Sequence, residues 1–202
     1  MARKSKAAVR KREILEHFYQ VIRDGGLEGA SIAKIAKHMG VHPSLLIHYF
    51  STKEEMVVEL VGYMLERYEE TYLAKVVKIK DPNKRLDALM NTLFSKDWIK
   101  LIDDTVFYAC YYLSFKNERI RNRFRVMYDN FREILRNEIK MYMKQGIVNV
   151  TDVENAVNLI IALAEGIDFY GNVYGEDRYS ENFSQYVKGL ALNFLKTGMG
   201  TI

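Results

Sequence analysis

The chain has 202 residues, 49% hydrophobic and 28% charged, with a net charge of +4. That length suits one or two domains with a substantial core, and that balance excludes an intrinsically disordered chain. One cysteine excludes an intrachain disulfide framework and fits a reducing cytosol, and no segment reaches the roughly 18 clean apolar residues expected of a membrane span.

The charge is unevenly placed. Residues 1–53 hold ten Lys/Arg against four Asp/Glu, a net of +6, which leaves −2 for the remainder. A basic N-terminal block on a mildly acidic body fits a nucleic-acid-binding head joined to a part with another task. Only 2 prolines occur, and three- to four-residue apolar spacing dominates over alternation. The pattern predicts an all-α fold of about nine helices.

Arg3, Lys4, Lys6, Arg10, Lys11 and Arg12 form a basic start without acids, whose first residues read as an arm attracted to phosphates. No apolar run follows it, so a signal peptide is not expected. A first helix carries Ile14, Leu15, Phe18, Val21 and Ile22 on one side and ends at Gly25-Gly26. Ser31 is placed to cap a second helix, in which Ile32, Ile35, Ala36 and Met39 share a face. Gly40 follows where a left-handed glycine would end it. Pro43 suits the first position of a third helix, because its missing N–H would be unpaired there anyway. Two short helices joined by a tight glycine turn, over residues 31–50, make a helix-turn-helix, whose second helix enters the DNA major groove.

Leu46 and Phe50 are one turn apart and face the head's own core. Ser44, Leu45, His48 and Tyr49 are left to meet DNA, with His42 at the helix entrance. Tyr49 and Lys53 are candidates for phosphate, although Tyr49 serves equally well as a core aromatic. His42, Ser44, Leu45 and His48 are candidates for the groove floor, Leu45 through a thymine methyl. Thr52 and Glu55 have capping-box spacing, so a new helix starts with Lys53 in its first turn, a combination suited to phosphate.

On these residues the chain resembles a known family. Residues 8–68 are similar to the DNA-binding domain of TetR-family transcriptional repressors, through Ser31, Ile35-Ala36, Gly40-Val41, Leu46, Phe50 and Lys53-Glu54-Glu55. Ala30-Ser31-Ile32-Ala33 with His48-Tyr49-Phe50 looks most like the betaine/choline-responsive branch. The resemblance implies that Ser31 also touches a phosphate. Two positions depart from the family: Ile47 stands where Tyr is usual, and His42 where a Ser cap is usual. The first puts a customary backbone contact in doubt, and the second suggests that His42 has another role, towards DNA.

A long helix is predicted from Lys53 through Val57, Leu60, Val61 and Met64 as far as Ile79. Asp81-Pro82 starts another, with Leu86, Leu89, Met90, Leu93 and Phe94. Trp98 to Phe115 follows, with Val106, Phe107, Cys110, Tyr111 and Ser114 on its apolar face. Asn117 opens an amphipathic helix that Gly146 ends. Thr151 and Glu154 read as a second capping box, followed by helices over about 153–174 and 179–197. In the first of these, Ala156, Ile160, Leu163 and Ile167 fill one face, and Val157, Ile161 and Ala164 another. A helix apolar nearly all round must be covered on all sides, and a second copy of the chain is the simplest cover. The family resemblance also implies a homodimer through the last two helices.

The division is therefore a head over 1–52 and a regulatory, ligand-binding and dimerisation body over 53–202. Aromatic residues with carboxylates nearby make Trp98, Phe107, Tyr111, Tyr128, Glu165 and Phe169 the candidates for an effector site. Aromatic faces attract quaternary ammonium groups, so the effector is expected to be cationic or aromatic and amphipathic. Asp103, Asp104 and Asp168 share these windows, the first two reading as solvated loop residues. Cys110 reads as a buried small hydrophobe. The four histidines show no metal-ligand spacing, so no metal or cofactor is expected. No catalytic motif is present, which points away from an enzyme. The expected function is a cytoplasmic repressor, dimeric on a near-palindromic double-stranded operator and released by a small molecule. An architectural DNA-binding protein without a sensor, or an activator, are the alternatives.

Overall fold

The computed structural model describes residues 5–68, 70, 76–94, 102–174 and 181–198. Among the described residues the chain forms nine α-helices and no strand. They are α1 (Lys6–Gly29), α2 (Ile32–Met39), α3 (Pro43–Tyr49), α4 (Lys53–Tyr68), α5 (Pro82–Leu93), α6 (Asp104–Ser114), α7 (Glu118–Lys144), α8 (Val153–Tyr174) and α9 (Glu181–Thr197). The expected all-α class is what the chain adopts.

Most ends follow the predicted chemistry. Ser31 accepts from the Lys34 N–H at 3.2 Å, and Asp81 accepts from the Lys84 N–H at 2.9 Å ahead of Pro82. Asn117 caps α7 through the Ile120 N–H at 3.2 Å. Gly40 and Gly146 take the left-handed conformation, with φ of 67° and 69°. Four details differ. Helix α1 kinks at Gly26 (φ 71°, ψ 160°) and resumes through Gly29 rather than ending. At the start of α4, Thr52 accepts from the Glu55 N–H at 3.1 Å, but Glu55 reaches back to the Ser51 N–H at 2.9 Å instead of that of Thr52. The cap of α8 is Asp152, not Thr151. Its carboxylate accepts from the Asn155 N–H at 3.1 Å, while Glu154 is held by Arg136 and Arg132. Asp103 is a helix cap rather than a solvated loop residue, accepting from the Thr105 N–H at 3.0 Å. The basic residues Arg3 and Lys4, Trp98, and part of the predicted 53–79 helix lie outside the described residues.

The chain forms two compact units, residues 1–68 with 102–127 and residues 69–101 with 128–202. In the first, α1 is the central element. Ile14, Phe18 and Ile22 are fully buried, and α1 packs against α2, α3, α4 and, most extensively, α6. Leu46 and Phe50 close the same core from beneath α3, as their spacing predicts. The Asp103 N–H donates to the Tyr19 hydroxyl at 2.5 Å, tying the start of α6 to the middle of α1. Arg67 lies over the rings of Tyr19 and Tyr63, 5.1 and 5.8 Å from their centroids. Cys110 is buried in this unit, and burial pushes its thiol up to about 12, so it is an inert core residue.

In the second unit, α8 and α9 form a hairpin and α9 also packs on α5. Its core includes Leu86, Leu89, Met90, Leu135, Ile139, Ile160, Ala191 and Leu195. A polar network crosses that core. The Arg85 Nε donates to Glu138 Oε2 at 2.9 Å, a second guanidinium nitrogen meets Oε1, and the Tyr142 hydroxyl donates to Oε2 at 2.8 Å. Arg85 also donates to the Val77 carbonyl at 3.1 Å. Removing the acid would strand a guanidinium out of water, the costly way to break such a pair. Glu138→Ala is expected to lower stability by about 3 kcal/mol, read as a drop in the thermal unfolding midpoint by circular dichroism. Loss below about 1 kcal/mol would show the network to be solvent-screened.

Candidate nucleic-acid interface and sensor residues

Helix α3 is seven residues long and is held at both ends. At its start, His42 Nδ1 accepts from the Ser44 N–H at 3.3 Å and lies 2.9 Å from the Ser44 hydroxyl. His42 therefore is the cap despite replacing the usual Ser, and Ser44 shares in the cap. At the other end the Phe50 N–H donates to the Leu46 carbonyl at 2.9 Å. With Leu46 and Phe50 seated below, the outer surface of α3 presents Ser44, Ile47 and His48, all exposed, with Leu45 and Tyr49 half-buried at its edges. The His48 and Tyr49 rings meet edge to face, with centroids 5.0 Å apart. Ile47 is 57% exposed and belongs to this surface. In sequence it stands out only as a departure from the family. Its position three after Ser44 and four before Ser51, outside the Leu46–Phe50 row, was the available signal.

Ser31, at the start of α2, is exposed. Lys53 behaves differently. Its ammonium donates to the Leu27 carbonyl at 2.5 Å, and partial burial lowers its pKa, with Glu28 acting in the opposite direction. A phosphate would have to use its remaining protons or draw the side chain away. Elsewhere in the head, His17 and His38 converge, with Nδ1 atoms 2.7 Å apart, a pairing hidden by 21 residues of separation. Among the described residues no three His, Cys, Asp or Glu side chains gather around a metal-sized space.

The effector candidates separate into groups. Phe107 and Tyr111 pack with Phe124 in the first unit, with ring centroids 5.6 and 5.5 Å away. Tyr128, Glu165 and Phe169 belong to the second. Glu165 is half-buried on α8, and burial raises its pKa to about 7, against the lowering effect of a hydrogen bond with Tyr128 and with a further rise from Asp168. Phe169 is 59% exposed, beside Tyr170 and Val173 on the outer side of α8, which suits a protein contact better than an enclosed pocket. Trp98 lies outside the described residues.

Comparison with known proteins gives the setting. Residues 7–60 match the family described as bacterial regulatory proteins, tetR family, and residues 81–197 match the tetracyclin repressor-like C-terminal domain. The HTH-type transcriptional regulator BetI of Rhizobium meliloti is 26% identical over 113 residues, 56% of this chain and 56% of that protein. BetI of Yersinia pestis is 27% identical over 103 residues, 45% of this chain and 52% of that protein. The chain thus spans about half the length of the curated relatives it matches. Among solved structures, a TetR transcription regulator from Haloarcula marismortui has a TM-score of 0.79 at 20% identity, covering 94% of this chain and 98% of its own. A transcriptional regulator from Saccharomonospora viridis, solved in complex with choline, has a TM-score of 0.74 at 20% identity, covering 93% and 96%. These structural likenesses show the fold, and the two family matches show more: this chain belongs to the TetR family of bacterial regulatory proteins.

Proposed function

We propose that the protein is a repressor that grips a near-palindromic operator as a homodimer and lets go when a small cationic or amphipathic molecule enters its body. An uncovered apolar stripe on the last two helices carries this reading. On α8, Leu159, Phe169, Tyr170 and Val173 are exposed with Ala162 and Gly166 between them, at helical spacing. On α9, Phe183, Tyr186 and Leu190 continue it. The expected face of Ala156, Ile160 and Ile167 is buried within the chain, but so is Val157 of the second expected face, so the stripe left for a partner is a different one. Contiguous apolar surface of this kind marks an interface.

Helix α8 is in fact long and apolar enough to cross a membrane by length and mean hydropathy, contrary to the sequence expectation. Its most apolar window has a mean hydropathy of 1.2 and is only 22% buried. A second copy of the chain accounts for that exposure without placing Glu165 and Asp168 in lipid. Small residues at 162 and 166 would let two α8 helices approach closely. A dimer sets two α3 helices on successive major grooves, roughly 34–36 Å apart. The DNA surface is then Ser44, Leu45, His48 and the outer edge of His42 in the groove, with Ser31, Tyr49 and Lys53 on phosphates. Regulation in the cytoplasm, where the DNA lies, follows from that partner.

For the effector, a half-neutral carboxyl beside Tyr128 supports a cation, and the choline bound by the Saccharomonospora viridis regulator is of that chemistry. Effector and DNA would then oppose each other reciprocally.

Gly166→Arg is expected to turn a sedimenting dimer into a folded monomer in analytical ultracentrifugation. An unchanged dimer would exclude this face as the interface. Lys53→Met should flatten the slope of log affinity for double-stranded DNA against log salt by about one, and identical slopes would remove Lys53 from the phosphate contacts. Because Glu165 must be ionised to hold a cation, choline affinity should fall by about tenfold per pH unit below pH 7, and Glu165→Gln should abolish that dependence. Affinity that ignores pH in the parent protein would rule out Glu165 as the counter-charge.

A further inference from the structure

The first compact unit contains a cleft of about 430 Å³ that the proposed regulatory cycle does not use. It lies between the end of α1, the start of α4 and the α6–α7 corner. Leu27, Val57, Leu113 and Ile120 give it an apolar floor, and Glu28, Lys53, Glu54, Lys116 and Asn117 complete its wall. The volume is within the range of small-molecule sites.

The charged groups around it are not equivalent. Glu54 is already paired with Arg119 at 3.3 Å, and Glu28 is exposed to solvent. Lys116 sits 5.1 Å over the Tyr112 ring. Lys53 is partly buried, and its charge is incompletely compensated. Among the described residues its ammonium has one hydrogen-bond acceptor, the neutral Leu27 carbonyl. An ammonium offers three protons, so two remain for a guest. Its lowered pKa has the same origin: burial outweighs the pull of Glu28. An anion brought against it would reverse that imbalance. A doubly charged phosphate ester would lose too much hydration against four aliphatic side chains, whereas a monocarboxylate with an apolar tail would not.

We propose that this cleft binds a small amphipathic carboxylate, its tail against Leu27, Val57, Leu113 and Ile120 and its head on the Lys53 ammonium. Such a guest bridges the end of α1, the first turn of α4 and the α6–α7 corner. It also occupies the lysine that the proposed function gives to a DNA phosphate. The binding step does not depend on that role; only the competition does.

The test uses sodium octanoate and octan-1-ol, titrated by isothermal calorimetry into the full chain without DNA. Octanoate should bind saturably and at least about tenfold more tightly than octan-1-ol, the difference expected of one charge-assisted contact. Lys53→Met should remove that advantage, Lys53→Arg should keep most of it, and Leu113→Trp, which fills the cleft, should weaken both ligands. Octanoate no tighter than octan-1-ol, or indifferent to Lys53→Met, overturns the proposal, and so does undiminished binding to Leu113→Trp. In a second arm octanoate should lower the affinity for double-stranded DNA. Binding without that effect would overturn only the phosphate role of Lys53, and failure of octanoate to bind overturns only the cleft.

Discussion

Helix α1 has more apolar surface than the helix-turn-helix can cover, and the first compact unit is the solution to that excess. Ile14, Phe18 and Ile22 are fully buried because α2, α3 and α4 close over one side and α6 over another. Helix α3 is seated on the same core through Leu46 and Phe50. A seven-residue helix has no stability of its own in water, since nucleation outweighs so few hydrogen bonds. Its direction is therefore inherited from α1, and α1 is held in turn by α6. The bond from the Asp103 N–H to Tyr19 fixes that contact at a definite register, where apolar packing alone would tolerate sliding.

Close approach between α4 and α7 adds a second constraint. The Arg123 guanidinium lies against Gly62, where any Cβ would overlap it. Gly62 is in the middle of a helix, where glycine is unfavourable, and a side chain there would displace the end of Arg123. The Arg123 Nε is buried there with no hydrogen-bond partner among the described residues. Most other ion pairs, such as Arg10 with Glu13 and Arg12 with Glu66, are exposed and add little. The exception is Arg85 with Glu138, whose side chains are 17% and 10% exposed and whose carboxylate also takes the Tyr142 hydroxyl.

In the second unit the exposed stripe of α8 and α9 and the interior of the same hairpin are made of similar residues. Ile160 and Leu159 are neighbours in sequence, yet one is buried and the other 37% exposed. Composition cannot separate a surface meant for the chain's own core from one meant for a partner, because both exclude water by the same means. What separates them is which neighbours the fold supplies. That is why the first apolar face expected on α8 holds, with Ala156, Ile160 and Ile167 buried, whereas the exposed stripe runs through Leu159, Phe169, Tyr170 and Val173 instead of Val157, Ile161 and Ala164.

The sequence by itself determined the local structure. Helical periodicity, the glycine after α2, Pro43, Asp81-Pro82 and Asn117 each act within one turn of chain, and each could be read as it stands. The buried row of Leu46 and Phe50, and with it which side of α3 stays exposed, followed from the same spacing. Tertiary structure decided whatever depends on groups distant in the chain: the pairing of His17 with His38, the anchoring of Tyr19 by residue 103, the cleft at Lys53, and the capture of Glu154 by two arginines that left its capping box unformed. Caps and turns are settled by neighbours a few residues away, whereas pairing and burial are settled by whichever side chains the packed helices bring together.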